Sequence, residues 1–217
     1  MGSAMAKKNV MLNVVFLNGA EGSVGTATGG ASGGSGGSKY DAVMMDGMTI
    51  RDYPNETIPY TIDTSKMTNM RNLFYTGSFY NAKLKSIPKL DTSNVTDMRD
   101  TFNDCQKLTT IQELDMSSIS VCSNIFANCN LLTYIVIKNL GKGPLGGKSA
   151  YAFSGATNWG TGSDENRQSL IDSLITYSYD RASNGMAATY ISLSANTKAL
   201  LTEEEIAQIT AKGFTIS

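Results

Sequence analysis

Apolar positions recur in a fixed order between residues 60 and 140. Aligned on "DTS" at Asp63 and Asp91 and on "DMS" at Asp115, the residues four places on are Met67, Val95 and Ile119. Seven places on stand Met70, Met98 and Cys122, and eleven on a phenylalanine each time, Phe74, Phe102 and Phe126. Fourteen on come the small residues Gly77, Cys105 and Cys129. Leu84, Leu108 and Leu132 then line up, followed by Ile87, Ile111 and Ile135, once the first unit is allowed four extra residues. The units start 28 and then 24 residues apart.

A unit of this size cannot bury its few apolar side chains alone, but stacked units can, each covering the next. The spacing of four, seven and eleven predicts one face of a helical turn. The "LTTIQEL" and "LTYIVI" that follow predict short strands. One helical turn and one strand per unit of ~24 residues is the plan of a leucine-rich-repeat solenoid, an α/β architecture. Residues 39–160 are expected to form this array.

The stretch "DTSNVTDMRDTFNDCQKLTTIQELDMSS" resembles the repeat of BspA-like leucine-rich repeat surface proteins. In that family a Thr-Ser-x-Val-Thr-x-Met run leads to a Phe, a Cys, a Leu and a strand. The resemblance covers about residues 60–140, with a degenerate fourth unit after it. It departs at Cys122, which stands at the Met position, and in the first unit, which lacks the Cys and carries an insertion. The family is associated with bacterial cell-surface adhesion, and similar domains occur in phage and protist proteins. The resemblance therefore implies binding rather than catalysis.

Flanking segments read differently. In "VMLNVVF" the residues Val10, Leu12, Val14 and Phe16 alternate, which favours a short strand over a signal peptide. Residues 22–38 hold eight glycines and one sizeable apolar side chain, Val24. Such a composition does not offset its ordering entropy, so 21–38 is expected to be a flexible linker, and 1–20 a separate anchoring element hung from it. After the array, "SDENRQSLIDSLITYS" predicts a helix with Ser163 as N-cap, and "ATYISLS" a strand. "LTEEEIAQITAKGF" predicts a helix opened by a Thr202/Glu205 capping box and closed at Lys212-Gly213, with "FTIS" as a last strand. Residues 161–217 are thus expected to cap the array.

Composition narrows the function classes. Eighteen basic and nineteen acidic residues leave a net charge of -1, with no dense basic cluster, so nothing favours nucleic acid. Histidine is absent, which removes Ser-His-Asp and Cys-His catalysis and imidazole metal sites. Three cysteines at C-x16-C-x6-C spacing fit neither a disulfide framework nor zinc, so no metal and no cofactor are expected. No run approaches the ~20 apolar residues of a membrane span.

One stretch imitates an enzyme. "GKGPLGGKS" at 141–149 follows an apolar run and formally satisfies GxGxxG. A P-loop would need glycine where Lys142 stands, and a helix behind it. The following "AYAFSGAT" instead aligns with "NIFANC", with Phe153 at the repeat phenylalanine and Ala156 at the Cys place. A turn between units is the better reading, and a nucleotide-binding enzyme only a remote alternative. The candidate contact residues lie in the first unit's insertion, "YTGSFYNAKLK": Tyr75, Phe79 and Tyr80, with Lys83 and Lys85 beside them. Val10, Leu12, Val14 and Phe16 are the candidate anchoring or oligomerisation residues. The leading expectation is a non-enzymatic recognition or adhesion module at an extracellular cell surface, binding a protein or glycan on a host or bacterial surface. The alternative is a structural protein of a bacteriophage virion surface, a head or tail fibre held through its N-terminus to other virion proteins and assembled as a homo-oligomer such as a trimer.

Overall fold

The computed structural model describes residues 14–16, 42–50, 56–58, 61–75, 83–144 and 150–217. In chain order the elements are β1 (Val14–Phe16), β2 (Ala42–Val43), β3 (Met48–Ile50), β4 (Ile62–Asp63), β5 (Thr110–Asp115), β6 (Tyr134–Lys138) and β7 (Ala150–Ala152). Then come α1 (Asp164–Ile171), β8 (Thr189–Ser192), α2 (Ala195–Lys198), α3 (Glu203–Ala211) and β9 (Phe214–Ile216).

Two parallel ladders tie successive units together. On one side Thr57 bridges Ser86 and Ser86 bridges Thr110, and β5 then pairs with β6. On the other, Asn69 bridges Asp97 and Asp97 bridges Val121, while β7, β8 and β9 form a three-stranded parallel sheet. Between the ladders lies one dry column. Phe74 and Phe102 stack at 5.4 Å between ring centroids and Phe102 and Phe126 at 5.7 Å, while Phe153 meets Phe126 at 5.7 Å with its ring tilted by 46°. Trp159 closes the row edge-on against Phe153. Leu84, Leu108, Leu132, Ile111 and Ile135 are buried beside them, and the Cys129 thiol donates to the Phe102 carbonyl at 3.0 Å.

The helical turn expected at the four, seven and eleven positions is not what forms. No helix occurs among the described residues of 61–144. Instead alternate amides donate to the next unit, Met98 to Val121, Asp100 to Ser123, Phe102 to Ile125 and Asp104 to Ala127. The chain between them is a run of tight turns, such as Cys105 N–H to the Phe102 carbonyl. Asn72, Asp100, Asp104, Asn124 and Asn128 have φ between 55° and 61°. Asn and Asp tolerate this left-handed region best among residues with a Cβ. They let the chain present an inward side chain and an inter-unit hydrogen bond together, which an α-helix, bonded only to itself, does not.

The "DTS" signature has its own hydrogen-bond role. The Thr64 hydroxyl donates to the Asp91 carbonyl and accepts from the Asp91 N–H, so one side chain satisfies both backbone groups of the next unit. Thr64 and Thr92 are buried, which makes these bonds the only alternative to stranded polar groups.

The two ladders end differently. α1 and a following π-helical turn, Asp172–Thr176, pack on β6. There the Ser173 hydroxyl accepts from Ile137 N–H at 2.8 Å and lies 3.2 Å from the Ile135 carbonyl. A helix thus covers a strand edge that would otherwise template another strand. Ser163 caps α1, and Thr202 and Glu205 form a reciprocal capping box on α3. Arg181 is buried and donates to the carbonyls of Gly141 and Ala187, joining the end of the array to the C-terminal loops.

At the N-terminal end, Ile50 N–H donates to the Leu73 carbonyl and Met44 N–H to the Asp63 carbonyl. Asp46 takes the amides of Thr68 and Asn69 and the Thr68 hydroxyl. β1 then lies antiparallel on β3, with Val14 opposite Ile50, Val15 opposite Thr49 and Phe16 opposite Met48. The strand read as a separate element therefore pairs within its own chain. The linker at 21–38 lies outside the described residues.

Candidate binding face

The strand side of the array carries a charged row over a groove. Glu56 and Lys85 pair at 2.8 Å where the first two units meet. Glu113 on β5 is held between two lysines, Lys89 at 3.0 Å and Lys138 at 2.8 Å. Lys138 also sits 5.7 Å from the centre of the Tyr177 ring, a cation–π distance. The Lys138 contact, working against the effect of burial and aided by Lys89, holds the Glu113 carboxyl below its ordinary range. Glu113 is thus ionised and committed at neutral pH.

Beside this row an open groove of about 560 Å³ runs between units. Ile62 and Leu90 lie in its lining, and Thr61, Lys89, Asp91, Ser93, Glu113 and Asp115 supply its polar groups. Pro88, which has no N–H, stands in the lining, and residues 88–92 around it form no strand. The carboxylates are built in rather than free. Asp91 accepts from Ser93 N–H and hydroxyl, and Asp115 from Ser117 N–H and the Asn139 amide.

Of the contact residues read from sequence, Lys83 and Lys85 are exposed and Tyr75 is half-buried. Phe79 and Tyr80 lie outside the described residues, as do Val10 and Leu12. Lys85 belongs to the ladder itself, its N–H donating to the Glu56 carbonyl and its carbonyl accepting from Thr109. Val14 and Phe16 are in β1. Lys89, Glu113 and Lys138 were not singled out in the sequence, though a signal was there. Thr61, Lys89 and Glu113 each stand two places before the unit's aspartate, so stacking makes opposite charges neighbours.

The glycine-rich stretch serves packing at its first half. Gly141 has φ +89° and lies over the Phe214 ring, and a Cβ on Gly143 would meet the Ile119 carbonyl at 2.1 Å. A strand, β7, follows rather than a helix, and residues 145–149 lie outside the described residues. Among the described residues no cluster of three or more His, Cys, Asp or Glu is placed to hold a metal, and no helix is long and apolar enough to cross a membrane. Burial pushes the Cys122 and Cys129 thiols up to about 12.

A family model described as "Mycoplasma protein of unknown function, DUF285" matches residues 45–139. The match runs from the N-terminal turn to the end of β6 and contains the whole groove. No curated protein and no solved structure matches the chain.

Proposed function

We propose that this chain is a non-enzymatic recognition module, a short BspA-like leucine-rich-repeat solenoid displayed at a surface, and that it binds through the strand-side groove. The observation that carries the reading is the Lys89–Glu113–Lys138 row bordering an open groove whose own carboxylates are already satisfied. Such a groove offers charged and hydroxyl groups on a rigid floor, which suits a polar chain such as a glycan or an extended peptide segment. Hydrogen bonds between units, such as Thr64 to Asp91 and Thr92 to Asp115, hold the lining backbone in place, so less ordering entropy is lost on binding.

The test is binding of the fluorescently labelled chain to bacterial and animal cells, read by flow cytometry. Lys89→Glu and Lys138→Glu combined with Glu113→Lys keep both contacts but reverse the charge pattern of the row. We expect saturable labelling that drops at least about tenfold for the triple variant, the loss of ~1.4 kcal/mol or more. Equal labelling by both proteins, or labelling by neither, rejects the groove as the site.

A further inference from the structure

We propose that Arg181, Tyr151 and Gly141 bind a single monatomic anion, chloride, where the end of the array meets the C-terminal loops. Arg181 is 1% exposed and Tyr151 is 0% exposed. None of the ion pairs among the described residues involves Arg181, so its charge is buried without a carboxylate. Nε and Nη2 donate to the Ala187 carbonyl at 3.0 and 2.7 Å, and Nη1 donates to the Gly141 carbonyl at 2.6 Å. That leaves an N–H on Nη1 and another on Nη2 without an acceptor among the described residues.

Tyr151 Oη, on β7, is also buried without a hydrogen-bond partner among the described residues. Burial pushes this hydroxyl above its ordinary range and Cys122 adds to the rise, while the Arg181 charge and the Gly141 N–H pull it down. Arg181 and Gly141 thus lie beside the hydroxyl, although the Gly141 N–H does not reach hydrogen-bond geometry. Burial keeps Tyr151 and Cys122 protonated at neutral pH, so neither supplies a negative charge. What converges is a buried cation with spare donors, and the two carbonyls in reach already accept. A water molecule there brings hydrogens of its own and leaves the charge uncompensated. An anion brings acceptor capacity and the missing charge together. A Cβ on Gly141 would meet the Phe214 ring at 2.4 Å and Arg181 Cδ at 3.2 Å. Packing this close favours a monatomic ion over a polyatomic oxyanion. The site lies at the junction of array and cap, apart from the groove, and is independent of the recognition reading.

The experiment uses the full chain. Its melting temperature is followed in sodium chloride and in sodium gluconate at matched ionic strength. Gluconate screens charge equally and, being excluded from protein surfaces, stabilises at least as well by general solvent effects. We expect the higher melting temperature in chloride, rising with the logarithm of chloride concentration as a ligand bound only by the folded state requires. Tyr151→Phe removes the hydroxyl and keeps the ring. It should weaken chloride binding about tenfold, the loss of one hydrogen bond to an ion. In crystals soaked in sodium bromide, an anomalous peak is expected between the Arg181 guanidinium and Tyr151 Oη. Chloride that gives no advantage over gluconate overturns the anion. A chloride effect undiminished in Tyr151→Phe, or bromide bound only elsewhere, overturns this site.

Discussion

The Thr92 hydroxyl sits between the two backbone groups of Asp115, accepting from its N–H at 2.7 Å and donating to its carbonyl at 3.0 Å. Thr64 makes the same pair of bonds to Asp91 one unit earlier. A threonine that spans two units converts a surface-like motif into a staple between levels. Thr92→Val keeps the shape and strands both groups in a buried place. The expected cost is about 2–4 kcal/mol, one unsatisfied donor and one acceptor. Thr92→Ser keeps the bonds and loses a methyl, so it is expected to cost under about 1.5 kcal/mol. Urea denaturation midpoints of the three proteins check the order; equal midpoints would show the staple to be idle.

The aromatic column sets a second expectation. Phe102 is fully buried and stacks on Phe74 and Phe126 at once, so no neighbour collapses into its space without breaking another contact. Phe102→Ala is expected to cost about 3–5 kcal/mol. Tyr177→Ala, at a 40% exposed position whose ring meets only the Lys138 ammonium at a cation–π distance, is expected to cost no more than about 1 kcal/mol. Thermal unfolding of the two variants side by side measures the difference.

How far these features were readable varies with the kind of physics involved. The order of Phe, Leu and Ile in three units, the Ser163 cap and the Thr202/Glu205 box are local or periodic, and pattern suffices for them. The helical turn failed for a specific reason. Residues four, seven and eleven places after the aspartate do all face inward, as they would on a helix, but so does a run of tight turns with the same inward spacing. The distinguishing signal is Asn or Asp nine places on, at Asn72, Asp100 and Asn124, and again thirteen on at Asp104 and Asn128. Polar residues at these offsets look like solvent-facing helix positions until their backbone is seen. The Lys89–Glu113 pair needed stacking as well as alignment, and the pairing of β1 with β3 left no periodic trace.

Those left-handed positions make a sharp prediction. At Asn124, with φ 55°, glycine adopts the conformation freely, whereas a β-branched side chain is strained there. Asn124→Val is expected to lose about 1–2 kcal/mol. Asn124→Gly should remain within about 0.5 kcal/mol of the parent, since the gain in native backbone ease offsets added freedom when unfolded. An α-helical segment would reverse this order, because valine is then better than glycine. Chemical denaturation of the pair therefore also decides between turn and helix.

Acid should weaken both ends of the array by the same mechanism. At Asp46 burial raises the carboxyl, but the Thr68 hydroxyl and the amides of Asn69 and Thr68 outweigh it and leave the group below its ordinary range. At Glu205 burial likewise raises, and the Thr202 amide and Arg167 outweigh it. A carboxyl whose folded value lies below its unfolded value, about 4, contributes stability that is present above that pH. The contribution is lost as pH falls through the folded value, because the folded state must then take up a proton that the unfolded state already holds. Melting temperature is thus expected to be flat from pH 7 to 5 and to fall below pH 4. Asp46→Asn keeps an acceptor but no charge, so it should lower the melting temperature at pH 7 and narrow its gap to the parent by pH 2.5. A gap of constant size across the range would mean that the Asp46 charge contributes nothing, leaving its hydrogen-bond geometry alone to hold the first unit.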